Sequence, residues 1–422
     1  MAAAAAQTDP NIRSTLRQAA ALALGAAVSL GLARFSYALL LGTMRADLGW
    51  SYFTAGAMNT ANAAGYLLGA LLMPRWLARF GPRRALVAGG LATAVLLALH
   101  GAVRSDMLLA LLRLGSGAAS AATFVAGGLL AARLGSQLAG RPGAHLSPGL
   151  VIGLYYGGTG LGIVASALLV PGALWLAAAV WPGPAWPAAW LALGAAALAM
   201  TGLMAAGTPT DAPASNAAAA AATLHWRWFG WALAGYSLFG LGYIGYMTFI
   251  VSLLRERQLS SSAITAFYVL LGLAVLASPW LWARLLQRWR GGQALALLNA
   301  LLALATLLPV LSRHPVAVYG SGALFGAVFL SVVASTTALV RHNLPAAAWP
   351  RGISAFTVVF AAGQIVGPSL VGHIADGPGG LARGLAVSAA LLSLGALLAC
   401  RQRPLGGGQD IAAVLSDESP GG

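Results

Sequence analysis

The chain has 422 residues, of which 59% are apolar and only 8% charged, with a mean hydropathy of +0.80. A soluble chain carries about a quarter charged residues, so this composition excludes an ordinary soluble protein and indicates a polytopic membrane protein. The formal net charge of +15 rests on 24 basic residues, all arginine; they lie between apolar runs rather than in one patch, which argues against a nucleic-acid partner.

The alanine-rich leader, residues 1–18, is expected to be disordered. A bilayer crossing needs about 20 apolar residues. Runs of that kind follow at 19–44, 52–74, 84–103, 107–132, 148–171, 186–206, 228–254, 261–283, 293–311, 315–340, 352–375 and 381–400. These twelve runs predict an all-α polytopic membrane protein in two six-helix bundles, 19–206 and 226–400. Between the bundles, "GTPTDAPASNAAAAAATLH" at 207–225 reads as a cytoplasmic linker, and 401–422 as a disordered tail.

With both termini inside, sixteen arginines fall on the cytoplasmic side, among them Arg75, Arg79, Arg83, Arg84, Arg284, Arg288 and Arg290. Six fall outside: Arg45, Arg104, Arg255, Arg257, Arg313 and Arg383. The positive-inside rule fixes that orientation. Arginine without lysine suits a GC-rich bacterial genome, so the expected location is a bacterial inner membrane, with the lipid bilayer as partner and the chain a monomer. The single cysteine, Cys400, excludes an intramolecular disulfide.

An internal repeat supports the two halves. A shift of 209 residues lays Gly31 on Gly240, Tyr37 on Tyr246, Asp47 on Glu256 and Arg79 on Arg288. Parallel six-span repeats around a midplane site are the plan of secondary transporters that alternate access between the two sides.

Specific motifs sharpen this. "PRWLARFGPRRAL", between runs 2 and 3, resembles the loop motif of the major facilitator superfamily: Arg79, Gly81, Arg83 and Arg84 match, whereas Ala78 replaces the acidic residue and Pro74 the first glycine. "RLGSGAASA" resembles the superfamily's second motif through Arg113 and Gly117, and "GLYYGGTGLG" the glycine-rich third motif without its proline. "GLARFSYALLLGTM" resembles the first helix of the YbfB/YjiJ-type branch, Gly-x-x-Arg-Phe-x-Tyr, with Gly42 in place of a proline. The resemblance implies the superfamily fold, two pseudo-symmetric bundles with a central cavity lined by spans 1 and 4. It also implies a gating role for the loop residues Arg79, Gly81, Arg83 and Arg84.

A central arginine costs roughly 2.5–3.5 kcal/mol to insert, so intramembrane charges usually face a cavity or a partner. Arg34 and Arg113 are two such charges, and no Asp or Glu lies within any run: Asp47, Asp106, Glu256 and Asp376 fall at run ends or in loops. In antiparallel spans, at 1.5 Å per residue, the two arginines differ in depth by only about 6 Å and are placed to bracket one ligand. Without an acid, their acceptors are carbonyls, phenols, water or a bound anion. A carboxylate-bearing substrate fits, since arginine offers it a planar fork. The alternatives are that Arg34 ties span 1 to a neighbour and that Arg113 bonds span 1 structurally.

Supporting candidates line the same spans. Asn59, Asn62 and Tyr66 recur at helical spacing on one face, facing either a wet cavity or another helix. Tyr37 stands three residues beyond Arg34, expected on its face. Tyr243 and Tyr246 occupy the repeat-equivalent places of Arg34 and Tyr37, while Tyr155, Tyr156 and Gln364 complete the substrate-binding set. The glycines of "GGTGLG" and "GSGAASA" read as sites of close helix approach.

The reading is therefore a transporter of a small organic solute and not an enzyme, with no cofactor and no metal site. A co-transported proton has no buried carboxylate to ride on and would travel with the substrate. Two rivals stay open: a proton-coupled drug or metabolite exporter, disfavoured by the missing buried acid, and a transporter-like sensor that moves nothing.

Overall fold

Each apolar run is a helix in the computed structural model, which describes residues 10–139, 148–208, 226–345 and 348–405. The first crossing is composite: α1 (Pro10–Ala26), a π-helical segment (Ala27–Phe35) and α2 (Tyr37–Leu48). Then follow α3 (Tyr52–Phe80), α4 (Pro82–His100), α5 (Asp106–Ala139), α6 (Pro148–Val180) and α7 (Trp186–Gly207). The second half comprises α8 (Gly230–Glu256), α9 (Ser261–Arg288), α10 (Gln293–Leu311), α11 (Pro315–Asn343), α12 (Trp349–Asp376) and α13 (Gly380–Cys400). No strand occurs among the described residues.

Eleven helical segments among the described residues are long and apolar enough to cross a membrane. The remaining rod, α3, has the length at 29 residues, but Asn59 and Asn62 dilute its apolarity. It packs between α5 and α12, where those polar groups find partners instead of lipid.

Local chemistry sets the helix ends. Gly49, at φ 68°, closes α2 in the left-handed region that glycine tolerates. Ser51 then caps α3, its Oγ accepting the Thr54 N–H at 3.0 Å, and Ser260 caps α9 through the Ala263 N–H at 3.2 Å. Several helices outrun their apolar cores because arginine carries them into water, α3 past Arg75 and Arg79 and α9 to Arg288.

One boundary is corrected. Helix α1 starts at Pro10, inside the leader 1–18 expected to be disordered; proline suits a first turn and alanine is the strongest helix former. Residues 1–9, 209–225 of the linker and 406–422 of the tail lie outside the described residues.

The 209-residue shift reappears in three dimensions. On α5, Gly117 packs directly against the Asn62 carbonyl of α3; on α11, Gly326 packs against the Leu271 carbonyl of α9, the same pair moved by the shift. A Cβ at either glycine would collide with that carbonyl, so the same crossing is built twice.

Three seams join the halves: α3 with α12, α6 with α9, and α2 with α8. The α6 glycines work as close-approach points. Gly158 and Gly162 abut the carbonyls of Ala23 and Ala27 in the first crossing, while Gly157 and Gly160 face Leu276 and Gly272 of α9. One face of α6 thus holds its own half and another the opposite half. The turns at 49–51, 101–105, 257–260 and 377–379 gather at one end, the Gly49 end; the α3–α4 and α9–α10 turns mark the other, the Arg79 end.

Candidate functional site

The π-helical segment decides where Arg34 points. All nine of its residues are buried, and the Ser36 N–H reaches back to the Gly31 carbonyl at 3.1 Å, five residues earlier. Such wide turns are frequent at functional sites. At its end Arg34, only 5% exposed, crosses to the opposite half, where its Nη2 donates to Oε1 of Gln364 on α12. The Tyr243 hydroxyl of α8 donates to the same oxygen at 2.7 Å. Above the guanidinium lies the Tyr66 ring of α3, its centroid 5.6 Å away, within cation–π range. Arg34 Nε is buried with no hydrogen-bond partner.

Arg34 is thus held by a neutral amide and an aromatic face. The described acids are engaged at the Gly49 end. Asp47 pairs with Arg104 at 2.8 Å, Asp106 accepts from Trp50 Nε1 at 2.8 Å, and Glu256 accepts from the Tyr52 hydroxyl. Asp376 accepts the backbone N–H groups of Tyr52 and Phe53 at 2.7 and 2.8 Å.

Tyr37 does not share the face of Arg34. The π segment and the bend at Ser36 re-phase the helix, so the Tyr37 ring turns into its own half beneath Arg113, 4.5 Å from the guanidinium, and donates to the Ala55 carbonyl at 2.9 Å. Arg113, expected to bracket a ligand with Arg34, is bound instead to its own half. It is 1% exposed, and each of its guanidinium nitrogens has an acceptor: Nε the Met58 carbonyl at 3.3 Å, Nη1 the Ala33 carbonyl at 3.1 Å and Nη2 Asn59 Oδ1 at 3.1 Å. It ties α5 to α3 and to the π segment.

The remaining candidates divide in the same way. Asn59 passes the Arg113 contact across the seam, its Nδ2 donating to Thr248 Oγ1 of α8 at 2.7 Å. Asn62 donates to the Arg113 carbonyl at 3.1 Å and to Ser116 Oγ at 3.2 Å. The Tyr155 hydroxyl donates to the Phe124 carbonyl at 2.5 Å, and Tyr246 bonds Ser321 at 2.6 Å, each within its own half. Tyr156, by contrast, is 40% exposed, and its ring lies 5.7 Å from Phe124, which in turn lies 6.4 Å from Tyr66. Arg34, Tyr66, Tyr156, Tyr243 and Gln364 therefore converge; Tyr37, Asn59, Asn62, Arg113, Tyr155 and Tyr246 bond helix to helix.

Sequence reading missed the aromatic ring stack beside this cluster. Phe360 lies one turn before Gln364 and stacks on Tyr243 at 5.6 Å, Phe239 at 5.3 Å and Tyr236 at 5.1 Å. The available signal was spacing: Tyr236, Phe239 and Tyr243 follow one stripe of α8, and Phe356, Phe360 and Gln364 one stripe of α12.

The seal of the Gly49 end was also missed. From Tyr52 onward α3 is zipped to α12 at intervals of four residues: Tyr52 against Gly372, Gly56 against Pro368, and Thr60 Oγ1 donating to the Ile365 carbonyl at 2.6 Å. Beside it Arg255 donates to the Leu39 carbonyl at 3.1 Å, across the α2–α8 seam, and the Arg45 guanidinium lies 3.9 Å from the Tyr52 ring centroid. Gly42 leaves the room that Arg255 occupies.

At the Arg79 end, the gating-loop candidates sit on and beside the α3–α4 turn. Gly81 adopts φ 77°, Arg79 lies over Phe80, and Arg84 is exposed. Arg83 donates to the Thr208 and Ala205 carbonyls, both at 3.1 Å, securing the end of α7 within the same half.

The comparisons with known proteins agree with this architecture. A family model described as "Uncharacterised MFS-type transporter YbfB" matches residues 26–400. No curated protein matches in sequence. Among solved structures, a bacterial homologue of the human lysosomal transporter Spinster, inward-facing and unoccupied, superposes with a TM-score of 0.67 at 14% identity, covering 93% of this chain and 97% of that one. The D323A mutant of the nucleoside transporter NupG gives 0.69 at 13% identity, with 91% and 99% covered. The human organic anion transporter MFSD10 gives 0.62 at 16% identity, with 93% and 100% covered. These likenesses show a shared fold, and the family match extends over most of the chain: it belongs to the YbfB-type family of major facilitator superfamily transporters, and is a membrane transporter rather than an enzyme.

Proposed function

We propose that the protein is a secondary active transporter of a small organic anion bearing a carboxylate, working by alternating access as a monomer in a bacterial inner membrane. The observation that carries this reading is Arg34: a buried guanidinium between the two halves, with Nε unpartnered, Nη2 on the neutral Gln364 amide and the Tyr66 ring alongside. A carboxylate entering there gains charge-assisted hydrogen bonds that Gln364 cannot match. It also touches both halves at once, so binding bears on their relative position. The structural neighbours carry differing solutes, so the substrate is argued from this site alone.

The charge distribution supports the same reading. The described acids nearest the halves' seam lie at the Gly49 end, whereas Arg75, Arg79, Arg83, Arg84, Arg284, Arg288, Arg290 and Arg341 crowd the Arg79 end. The positive-inside rule sets the Arg79 end and both termini in the cytoplasm. The sealed Gly49 end is then the outer gate, and the halves rock against each other along the seams that join them. A membrane potential drives an unaccompanied anion outward by about 2.3 kcal/mol per charge per 100 mV. Uptake therefore needs a co-transported cation, whereas export runs down the potential unaided.

A thermal-shift panel on the purified protein tests this, using small carboxylates, amino acids, sugars and cationic drugs. Carboxylates are expected to stabilise the wild type and not Arg34→Ala. Stabilisation by cationic drugs alone contradicts the anion reading.

A further inference from the structure

Resting on the anion reading, we infer the substrate's class: a small aromatic carboxylate, its charge on Arg34 and its ring between the aromatic faces of the two halves. The faces lie together on the Arg79 side of Arg34. From the second half comes Phe360, half-buried, the uncovered member of a stack whose other rings, Tyr236, Phe239 and Tyr243, are 3% exposed or less. The rings are nearly parallel, with interplanar angles to Phe360 of 23°, 10° and 19°. That backing fixes the plane of Phe360 before any ligand arrives, so its flat face is pre-organised.

From the first half come Tyr66 and Phe124, both half-buried with centroids 6.4 Å apart, and the exposed Tyr156, 5.7 Å from Phe124. Flat faces from both sides suit a planar ring, because offset and edge-to-face contacts add to what area burial alone contributes.

The polar end fits as well. Gln364 Oε1 now receives both Arg34 and Tyr243. A ligand carboxylate that takes Arg34 from Gln364 is an acceptor within reach of the donors gathered at that oxygen, so Tyr243 and the Gln364 amide N–H are available to its second oxygen.

The test is isothermal titration of the full-length purified chain with benzoate, cyclohexanecarboxylate and benzamide, in wild type, Arg34→Ala, Phe360→Leu and Tyr66→Leu, each variant checked for a monodisperse elution profile. Benzoate is expected to bind the wild type about fivefold or more tighter than cyclohexanecarboxylate, two ring contacts at roughly twofold to tenfold each allowing that ratio. The ratio shrinks towards one in Phe360→Leu and in Tyr66→Leu, and both acids are lost in Arg34→Ala. Equal binding of the two acids, with both lost in Arg34→Ala, overturns the aromatic class and leaves the anion reading standing. No binding of benzoate overturns the aromatic class whatever the other probes do. Benzamide binding as tightly as benzoate, or benzoate unaffected by Arg34→Ala, overturns the anion reading and this inference with it.

Discussion

Arg34 and Gln364, 330 positions apart in the chain, meet across the two halves, and the same Gln364 oxygen accepts from Tyr243. The amide neutralises no charge. It holds the guanidinium in place without a counter-charge, and intramembrane charges mark substrate and ion pathways.

Replacing that amide by an acid supplies the anion internally. Gln364→Glu is expected to raise the melting midpoint of the empty protein and to remove stabilisation by added carboxylates, because its own carboxylate occupies Arg34. A thermal-shift titration reads both effects; continued stabilisation by carboxylates counts against a ligand site at Arg34.

Removing the charge acts the other way. A hydrogen bond to a charged group contributes roughly 1.5–3 kcal/mol, so Arg34→Ala is expected to weaken carboxylate binding by about tenfold to a hundredfold. Arg34→Lys keeps the charge but not the fork and falls between. Titration calorimetry with the best carboxylate of the panel gives the three affinities.

Arg113 is expected to behave as a structural residue. Arg113→Ala orphans the carbonyls of Met58 and Ala33 and Oδ1 of Asn59, at roughly 1–3 kcal/mol for each buried acceptor left without a partner. The melting midpoint drops, while the carboxylate affinity of the folded fraction falls by less than in Arg34→Ala, because Arg113 touches the segment that carries Arg34 and not the ligand.

Asp376 is the latch of the Gly49 end, since its carboxylate caps α3 from the other half. With charged hydrogen bonds of roughly 1.5–3 kcal/mol lost, Asp376→Ala is expected to shift the closed-to-open ratio of this end by about tenfold or more. In a Cys400→Ser background, Thr60→Cys then reacts several-fold faster with a membrane-impermeant thiol reagent added from the Gly49 side. An unchanged rate contradicts the latch.

Much of this fold was legible because lipid imposes a simple demand: a crossing needs a long apolar run, and such runs are visible without partners. Arg34 was visible for the same reason, as a cost in the wrong place. Its surroundings were harder. Tyr37 was expected beside it on regular helical phase, and the π-helical segment, which no residue pattern announces, rotated it away. Arg113 looked like a second ligand arginine because carbonyl acceptors, present in every residue, leave no mark in the sequence. Phe360 was overlooked because a phenylalanine in an apolar helix reads the same whether it faces lipid or a substrate path.

The central claim is that Arg34 carries an anion across the membrane, and the most direct test is counterflow in proteoliposomes. Vesicles preloaded with unlabelled benzoate and holding the wild-type protein are predicted to take up external labelled benzoate transiently above equilibrium, while vesicles with Arg34→Ala do no better than empty ones. Equal counterflow by wild type and Arg34→Ala would contradict the account.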